Sequence, residues 1–479
     1  MKKKWLAVIS ICSLLLGAGG TYAGMTWLVP YWQTTAKESP QESSGLSIGA
    51  ELDKVAQAYE LIRNAYVNEV DEKQLIQGAI QGMIGTLKDP YSVYMDADTA
   101  ESFEDSLDSS FDGIGAHIAI EEGKLIIVSP IKNAPAEKAG LKAKDQIIKI
   151  DGENVEGLDI NEASLKIRGE KGSVVKLEVV RRGLAEPITF SVTRDEVPIL
   201  TVFSDVKQEK GGKIGYIEIT SFAKGTARDF KTELQKLEEQ QIAGLIIDVR
   251  GNPGGMLISV EEILGELVTG KKPIVQIEER NGNKKPYYSG LKKRKPYPIS
   301  VLIDEGSASA SEILASALEE IEGYALIGEK TFGKGTVQQP IPLDDGSNIK
   351  LTVFKWLTPD GNWIHGKGIE PTTEVKQPSY FYTQSLPIEE TLSKDMNNEK
   401  VKIAQEMLKG LGYGPGRTDG YFDEQTERAV KAFQTIEKID VTGELTVDVA
   451  QKLEESVIRA IQDEKNDIQL QVALKTILK

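Results

Sequence analysis

Apolar positions change their spacing along this chain, and each change predicts a different kind of structure. Val55, Tyr59, Ile62 and Tyr66 recur at helical spacing, as do Leu75, Ile76, Ala79, Ile80 and Met83. Two helices are predicted there, ending before Asp89-Pro90, because proline disfavours helix in the residue ahead of it. They define a helical N-terminal domain over 48–109, with a dimer contact as one use for it. From 110 to 198 the pattern shifts to short apolar or β-branched runs between turn residues, at 125–128, 146–150, 174–180 and 188–192. Short helices fit 135–139 and 161–167. From 213 to 375 strands (214–220, 244–249, 274–278, 299–304, 325–328) alternate with helices (226–240, 257–268, 310–322). Such alternation indicates an α/β layer structure. The turn-rich stretch 336–375 reads as extended hairpins covering a site.

The ends of the chain differ from this body. Lys2, Lys3 and Lys4 precede an apolar stretch from Trp5 to Val29, long enough to span a bilayer with its positive end cytoplasmic. A cleaved signal peptide, cut after Thr21-Tyr22-Ala23, is the rival reading. A retained anchor over 1–32 is preferred because apolar character continues through Met25 to Val29 and Trp27 and Trp32 suit an interface. Residues 33–47 read as a polar linker, and the body is expected outside the cytoplasm. At the other end, residues 377–396 read as a linker, 397–455 as a small helical module and 456–479 as a final amphipathic helix.

Composition narrows the chemistry. At 479 residues the chain needs more than one core. A net charge of -16 argues against general nucleic-acid binding, which requires a basic surface. Cys12 is the only cysteine, so neither a disulfide nor a thiolate zinc cluster is available. His117 and His365 are the only histidines, which makes a zinc hydrolase or a Ser-His-Asp triad improbable. No cofactor or metal is expected.

The candidate chemistry lies in Gly306-Ser307-Ala308-Ser309-Ala310-Ser311-Glu312 and Thr331-Phe332-Gly333-Lys334-Gly335-Thr336. Serine at a helix N-terminus is commonly a cap, but the orphan N–H groups there also steady an oxyanion. Ser307, Ser309 and Ser311 are all open as nucleophiles on local grounds. For Ser309, the following residue Ala310 would offer its N–H. A second donor is expected from Gly254 or Gly255, in the glycine-rich turn after the strand 244–249. A lysine in a poorly hydrated site loses its proton near neutral pH and serves as a base. Residues 328–334 also fit the start of a phosphate-binding loop. That reading fails, because Gly335 replaces the required Ser or Thr and 336–340 cannot open a helix.

Three resemblances to known families follow from these motifs. Gly113-Ile114-Gly115-Ala116, Ala139-Gly140-Leu141 and 145–152 occur in the order of a PDZ domain, which segment 110–198 resembles. Gly420-Tyr421-Phe422-Asp423, Thr426, Phe433-Gln434 and Thr442-Gly443 resemble a peptidoglycan-binding module, with a protein-protein role as the alternative. The 307–313 block, Gly333-Lys334-Gly335-Thr336 and Gln338 are similar to the carboxy-terminal processing proteases, as is the chain from about 50 to 375. That resemblance implies an α/β multidomain fold with a layered Clp-protease/crotonase-like protease core over 199–376 and an inserted PDZ domain. It also implies Ser309 as nucleophile, Lys334 as general base, Gln338 as its support, and Gly254 and Ala310 as oxyanion donors.

The PDZ resemblance implies that Gly113, Ile114, Gly115 and Ala116 receive a peptide's terminal carboxylate. The strand through His117 and Ile118 pairs with that peptide, and Leu165 and Ile167 face the groove. Arg168 caps a helix dipole or acts as a switch against the protease body. His365 reads as a hairpin residue near the site. The expected protein is a membrane-anchored, extracytoplasmic serine endopeptidase, with a non-catalytic scaffold of peptide- and cell-wall-binding modules and an acyl-CoA enzyme as the alternatives. Its expected partners are protein substrates, the membrane, peptidoglycan and a second copy, and its nearest relatives are signalling proteases of spore-formers.

Overall fold

The structure, a computed structural model, describes residues 48–121, 123–181, 184 and 186–478. The anchor and first linker therefore lie outside the described residues, as does Cys12. Among the described residues no helix is long and apolar enough to cross a membrane. The chain divides into two units after Met83.

In the first unit, the Ile48–Ala65 helix ends and the Glu72–Gly85 helix begins across a short turn. The predicted apolar stripe of the first helix is largely exposed, including Val55, Ile62 and Tyr66. The second unit begins earlier than the sequence predicts. The strand Val93–Met95 pairs antiparallel with Asn348–Leu357, so 84–109 falls in the second unit. Period-based reading missed this because a three-residue strand carries too little pattern to register.

The core is a six-stranded sheet in the order Val202–Glu209, Gly212–Ile219, Gly244–Asp248, Ile299–Ile303, Ala325–Gly328, Thr373–Glu374. All neighbours are parallel except the first pair. The central strand Gly244–Asp248 is buried throughout. An uninterrupted apolar strand needs cover on both faces. Leu245 and Ile247 face the helices Thr226–Glu239, Leu257–Leu267 and Ala310–Glu322. Ile246 faces the other way, with Ile214, Leu302 and Ile327, and is covered by Leu470, Ala473, Leu474 and Ile477.

That second cover corrects the reading of 456–479 as one terminal helix. The module's last helix, Val447–Gln462, runs on past 455, and a separate helix, Ile468–Ile477, begins after Asp467. Asp467 caps it by accepting from Leu470 N. The linker 377–396 is also corrected, because Tyr380, Leu386, Ile388 and Leu392 are buried in the core of the small helical module.

The PDZ-like segment is inserted through a two-stranded stem, Ser110–Gly113 against Asp195–Pro198. Its own sheet runs in the order Ala116–Glu121, Lys124–Pro130, Gln146–Ile150, Val174–Val180, Ile188–Thr193. The strand Ala116–Glu121 is therefore at an edge. A second, antiparallel sheet carries the hairpin Thr336–Pro342 and Asn348–Leu357 over the core.

Candidate active site

Ligand sites of open parallel sheets form beyond the carboxyl ends of the strands. Two such ends meet here. The strand Gly244–Asp248 runs into the turn 249–256, and Ile299–Ile303 runs into 304–309. Asp304 Oδ1 ties the turns together, accepting from Gly251 N at 2.8 Å, Gly306 N at 3.0 Å and Ser307 N at 3.1 Å. Buried Asn252 does the same from the other side. Its carbonyl accepts from Ala308 N at 3.0 Å and Ser311 Oγ at 2.9 Å, and its amide donates to Ile219 O at 2.7 Å.

These contacts separate the three serines. Ser307 is buried and donates to Val249 O at 2.8 Å, and Ser311 is buried against Asn252. Ser309 instead lines a cavity of about 450 Å³ with Ala310, Gly255, Lys334 and Gln338. It caps the Ala310–Glu322 helix with φ 54° and ψ -109°. Positive φ in a non-glycine residue costs about 1–3 kcal/mol and persists where the surroundings enforce it. Ser309 therefore presents its side chain from a turn that its neighbours hold.

The predicted oxyanion donors fare differently. Ala310 N, at the first helical position, has no hydrogen-bond partner among the described residues. Gly254 N donates to Asn252 Oδ1 at 2.8 Å. The Gly254 amide is therefore already committed, which corrects the choice of Gly254. Gly255 lines the cavity, and its N–H has no partner among the described residues. Both glycines are required sterically. A Cβ on Gly254 would lie 2.7 Å from Ala308 O, and one on Gly255 2.3 Å from Phe222 O.

Lys334 lies between Gly333 and Gly335, where added Cβ atoms would come within 2.8 Å of backbone nitrogens of the 364–368 loop. Its carbonyl accepts from Trp356 Nε1 at 2.7 Å. Its ammonium nitrogen sits 4.9 Å from the centre of the Tyr91 ring. Burial pulls the Lys334 pKa below the ordinary lysine range. The Lys350 ammonium adds to that shift, while Asp89 and Glu312 oppose it. Gln338 lines the same cavity, and its Nε2 donates to Thr336 Oγ1 and Thr352 Oγ1, each at 3.0 Å. With the amide hydrogens used this way, the carbonyl is the group Gln338 has to offer a lysine.

Sequence reasoning missed Glu312, the residue that joins the two halves of the site. Its buried carboxylate accepts from Ser309 N (2.8 Å) and Lys334 N (2.8 Å) through one oxygen. The other oxygen accepts from Thr331 Oγ1 (2.6 Å) and Gly333 N (2.7 Å). The spacing Ser309-x-x-Glu312 is that of a capping box, and this was the available signal. Tyr91 and Lys350 gave no comparable sign. His365 accepts from Gly335 N at 3.3 Å and stacks on Trp363, in keeping with a supporting place beside the site. Apart from Thr336 and Lys350, the remaining walls are apolar, with Phe103, Met256 and Ile258 among them.

In the PDZ-like segment, Ile114 and Gly115 turn their carbonyls inward, to Ala136 N at 2.7 Å and Ile131 N at 2.9 Å. Gly113 and Ile114 are buried, Ala116 and Ile118 half-buried, and His117 exposed on the edge strand. Leu165 is 70% exposed on the helix Ile160–Ile167. Ile167 is buried in the domain core and does not face the groove, which corrects that expectation. Helical rotation over two residues carries Ile167 away from the face that Leu165 occupies. Arg168 pairs with Asp105 at 3.0 Å and lies over the Phe111 ring. Asp105 belongs to the helix Ala97–Leu107, which contributes Phe103 and Leu107 to the Ser309 cavity.

Comparison with known proteins places the chain in a family. The model of peptidase family S41 matches residues 213–375, and that of the activating protease CtpB N-terminal domain matches 14–99. A PDZ model matches 126–181 and a peptidoglycan-binding model 397–453. The carboxy-terminal processing protease CtpB of Bacillus subtilis (strain 168) is 53% identical over 477 residues, covering 100% of this chain and 99% of that protein. This chain belongs to the carboxy-terminal processing proteases of family S41. CtpA of the same organism is 43% identical, over 90% of this chain and 91% of that protein. A solved photosystem II D1 C-terminal processing protease is 27% identical, covering 71% of this chain and 89% of that one, with a TM-score of 0.43. The chain is thus a serine peptidase with a PDZ domain, a layered α/β core and a helical C-terminal module.

Proposed function

We propose that this protease cleaves membrane-associated regulatory proteins outside the cytoplasm, with Ser309 as nucleophile and Lys334 as general base. One observation carries the assignment. Of the three serines in the block, only Ser309 opens onto the cavity in which burial holds Lys334 below the ordinary lysine range. Neutral Lys334 takes the Ser309 hydroxyl proton as Oγ attacks the peptide carbonyl. Ala310 N–H and Gly255 N–H hold the oxyanion, each contributing about 3–4 kcal/mol in comparable sites. Lys334 passes the proton to the leaving amine. Water, deprotonated by Lys334, then cleaves the acyl ester and restores the serine. Gln338 orients Lys334 through its carbonyl and adds no charge.

The test is cleavage of candidate membrane-protein ectodomains by wild type, Ser309→Ala and Lys334→Arg, with phosphonate labelling of Ser309. Both variants are expected to be inactive, the second because arginine stays protonated. Normal turnover by either would end the assignment.

Substrate choice is read at the PDZ edge strand Ala116–Glu121, which has one free edge for pairing with a peptide that ends in a carboxylate near Gly113–Ala116. Arg168 is the regulatory contact between that domain and the cavity, an idea supported by its pair with Asp105. The apolar stretch behind Lys2–Lys4 supports membrane anchoring. The exposed stripe of Val55, Ile62 and Tyr66 supports a homodimer, and the C-terminal module makes peptidoglycan a candidate ligand. Signalling between the compartments of a developing spore is the setting that the family resemblance favours.

A further inference from the structure

The turn that follows the central strand is held from the far end of the chain. Its polar side chains are those of Arg250 and Asn252, while Gly251, Gly254 and Gly255 supply none. Arg250 reaches away from the cavity, toward the start of the Ile468–Ile477 helix. Asp467, the cap of that helix, accepts from Arg250 Nη1 at 3.0 Å and Nη2 at 2.8 Å. Gln469 Oε1 accepts from Nη1 at 3.0 Å, and the Gln469 amide donates to Val375 O at 2.8 Å. On the strand side, Asp248 accepts from Nη2 at 2.6 Å and from the Tyr216 hydroxyl at 2.7 Å. Gln377 Nε2 donates to Asp467 at 2.6 Å.

This is a two-sided clamp on one half-buried guanidinium. Burial opposes charge on Arg250, yet Asp248 and Asp467 outweigh it and hold the group above its usual range. Burial would likewise raise Asp467, and Arg250 keeps it below the usual carboxylate range. A planar guanidinium with carboxylates on two edges has a fixed orientation. Fixing it also fixes Arg250 N, which donates to Asp248 Oδ1 at 3.0 Å at the first step of the turn. The small helical module lies between Val375 and Asp467 in sequence, so its two ends meet at this clamp.

We propose that Asp467 is a positioning residue of the protease, acting through Arg250 to hold the turn that presents the Gly255 N–H. The terminal helix then belongs to the catalytic core, and the module preceding it is an insertion in that core rather than an appendage. This rests on the reading of Gly255 and Ala310 as oxyanion donors.

The experiment compares full-length wild type, Asp467→Asn, Asp467→Ser and Glu464→Gln. Both Asp467 variants keep a helix-capping side chain. Asparagine places an NH₂ group against a guanidinium nitrogen, and serine leaves that edge of the guanidinium empty. Glu464 pairs with Lys207 in the segment just before the helix and serves as a control. Readouts are kcat, KM, thermal melting, and inhibition by a peptide aldehyde against its matching alcohol, since only the aldehyde forms an oxyanion on Ser309. Both Asp467 variants are expected to lose at least tenfold in kcat with KM within twofold. Their aldehyde affinity should fall by the same factor while alcohol affinity holds, and Glu464→Gln should match wild type. Unchanged kcat and aldehyde preference in both variants would overturn the proposal. So would a loss explained by the unfolded fraction or confined to KM. If wild type itself does not prefer aldehyde to alcohol, the oxyanion reading fails instead.

Discussion

Replacing Glu312 by glutamine should disable the protease while leaving it folded. The carboxylate takes four donors, two on each oxygen: Ser309 N and Lys334 N on one, Thr331 Oγ1 and Gly333 N on the other. Glutamine keeps one acceptor oxygen and turns the other into an NH₂ group. Its better placement leaves the oxygen facing Ser309 N and Lys334 N and the NH₂ facing Thr331 and Gly333. Thr331 can rotate its hydroxyl to accept, while still accepting from Ile369 N at 2.7 Å. Gly333 N cannot adapt. It is left against another donor in a buried place, at a cost of about 1–3 kcal/mol. Loss of charge assistance in the remaining bonds adds to this. Taking about 2 kcal/mol as the part expressed in the reacting geometry gives a fall of about 30-fold in rate. The opposite placement strands Ser309 N and Lys334 N and is worse. The assay is kcat and KM on a peptide substrate, with the rate of phosphonate labelling at Ser309. The expected result is a 30-fold loss in kcat, a parallel loss in labelling, and a modestly lower melting temperature. Activity within threefold of wild type would refute the claim that Glu312 holds the nucleophile and base turns together.

Two other perturbations test the electrostatics and the regulatory contact. Lys350→Met removes one cause that lowers Lys334, so the Lys334 pKa should rise toward the ordinary lysine value. Because the base must be neutral, the acidic limb of the kcat/KM profile should move to higher pH. A limb that stays in place, or moves to lower pH, contradicts this sign. Arg168→Ala removes the pair with Asp105 on the helix that lines the cavity. It is expected to change the ratio of cleavage rates with and without a PDZ-binding peptide at least threefold, and an unchanged ratio would rule out a switch at Arg168.

Much of the core was legible because its elements are long and periodic. The predicted helix 310–322 and strand 325–328 match Ala310–Glu322 and Ala325–Gly328 at both ends. The alternation of strands and helices gave the layers, and the predicted strand 244–249 contains the observed Gly244–Asp248, which is buried throughout. What covers the second face was not legible. Leu470, Ala473, Leu474 and Ile477 have an amphipathic helix's pattern, and the pattern does not name its partner. The 377–396 segment looked like a linker because its buried Leu386, Ile388 and Leu392 lie among polar residues with no steady period.

The site was legible in its members but not in the choice among them, and the reason is hydrogen-bond accounting. Irregular turns carry backbone N–H groups that must find partners. Here Asp304 takes Gly251 N, Asn252 takes Gly254 N, and Glu312 takes Ser309 N, Gly333 N and Lys334 N. After these commitments, Gly255 N and Ala310 N are left facing the cavity with no partner among the described residues. Sequence shows which glycines permit such a turn, so Gly254 and Gly255 looked equivalent. Only the closed fold shows which amide a neighbouring side chain has already claimed. By the same accounting Ser307 and Ser311 are spent on Val249 O and Asn252 O. An oxyanion site is in this sense what remains after a fold has satisfied its other donors, and the residues that do the satisfying are as much its determinants as the two that stay free.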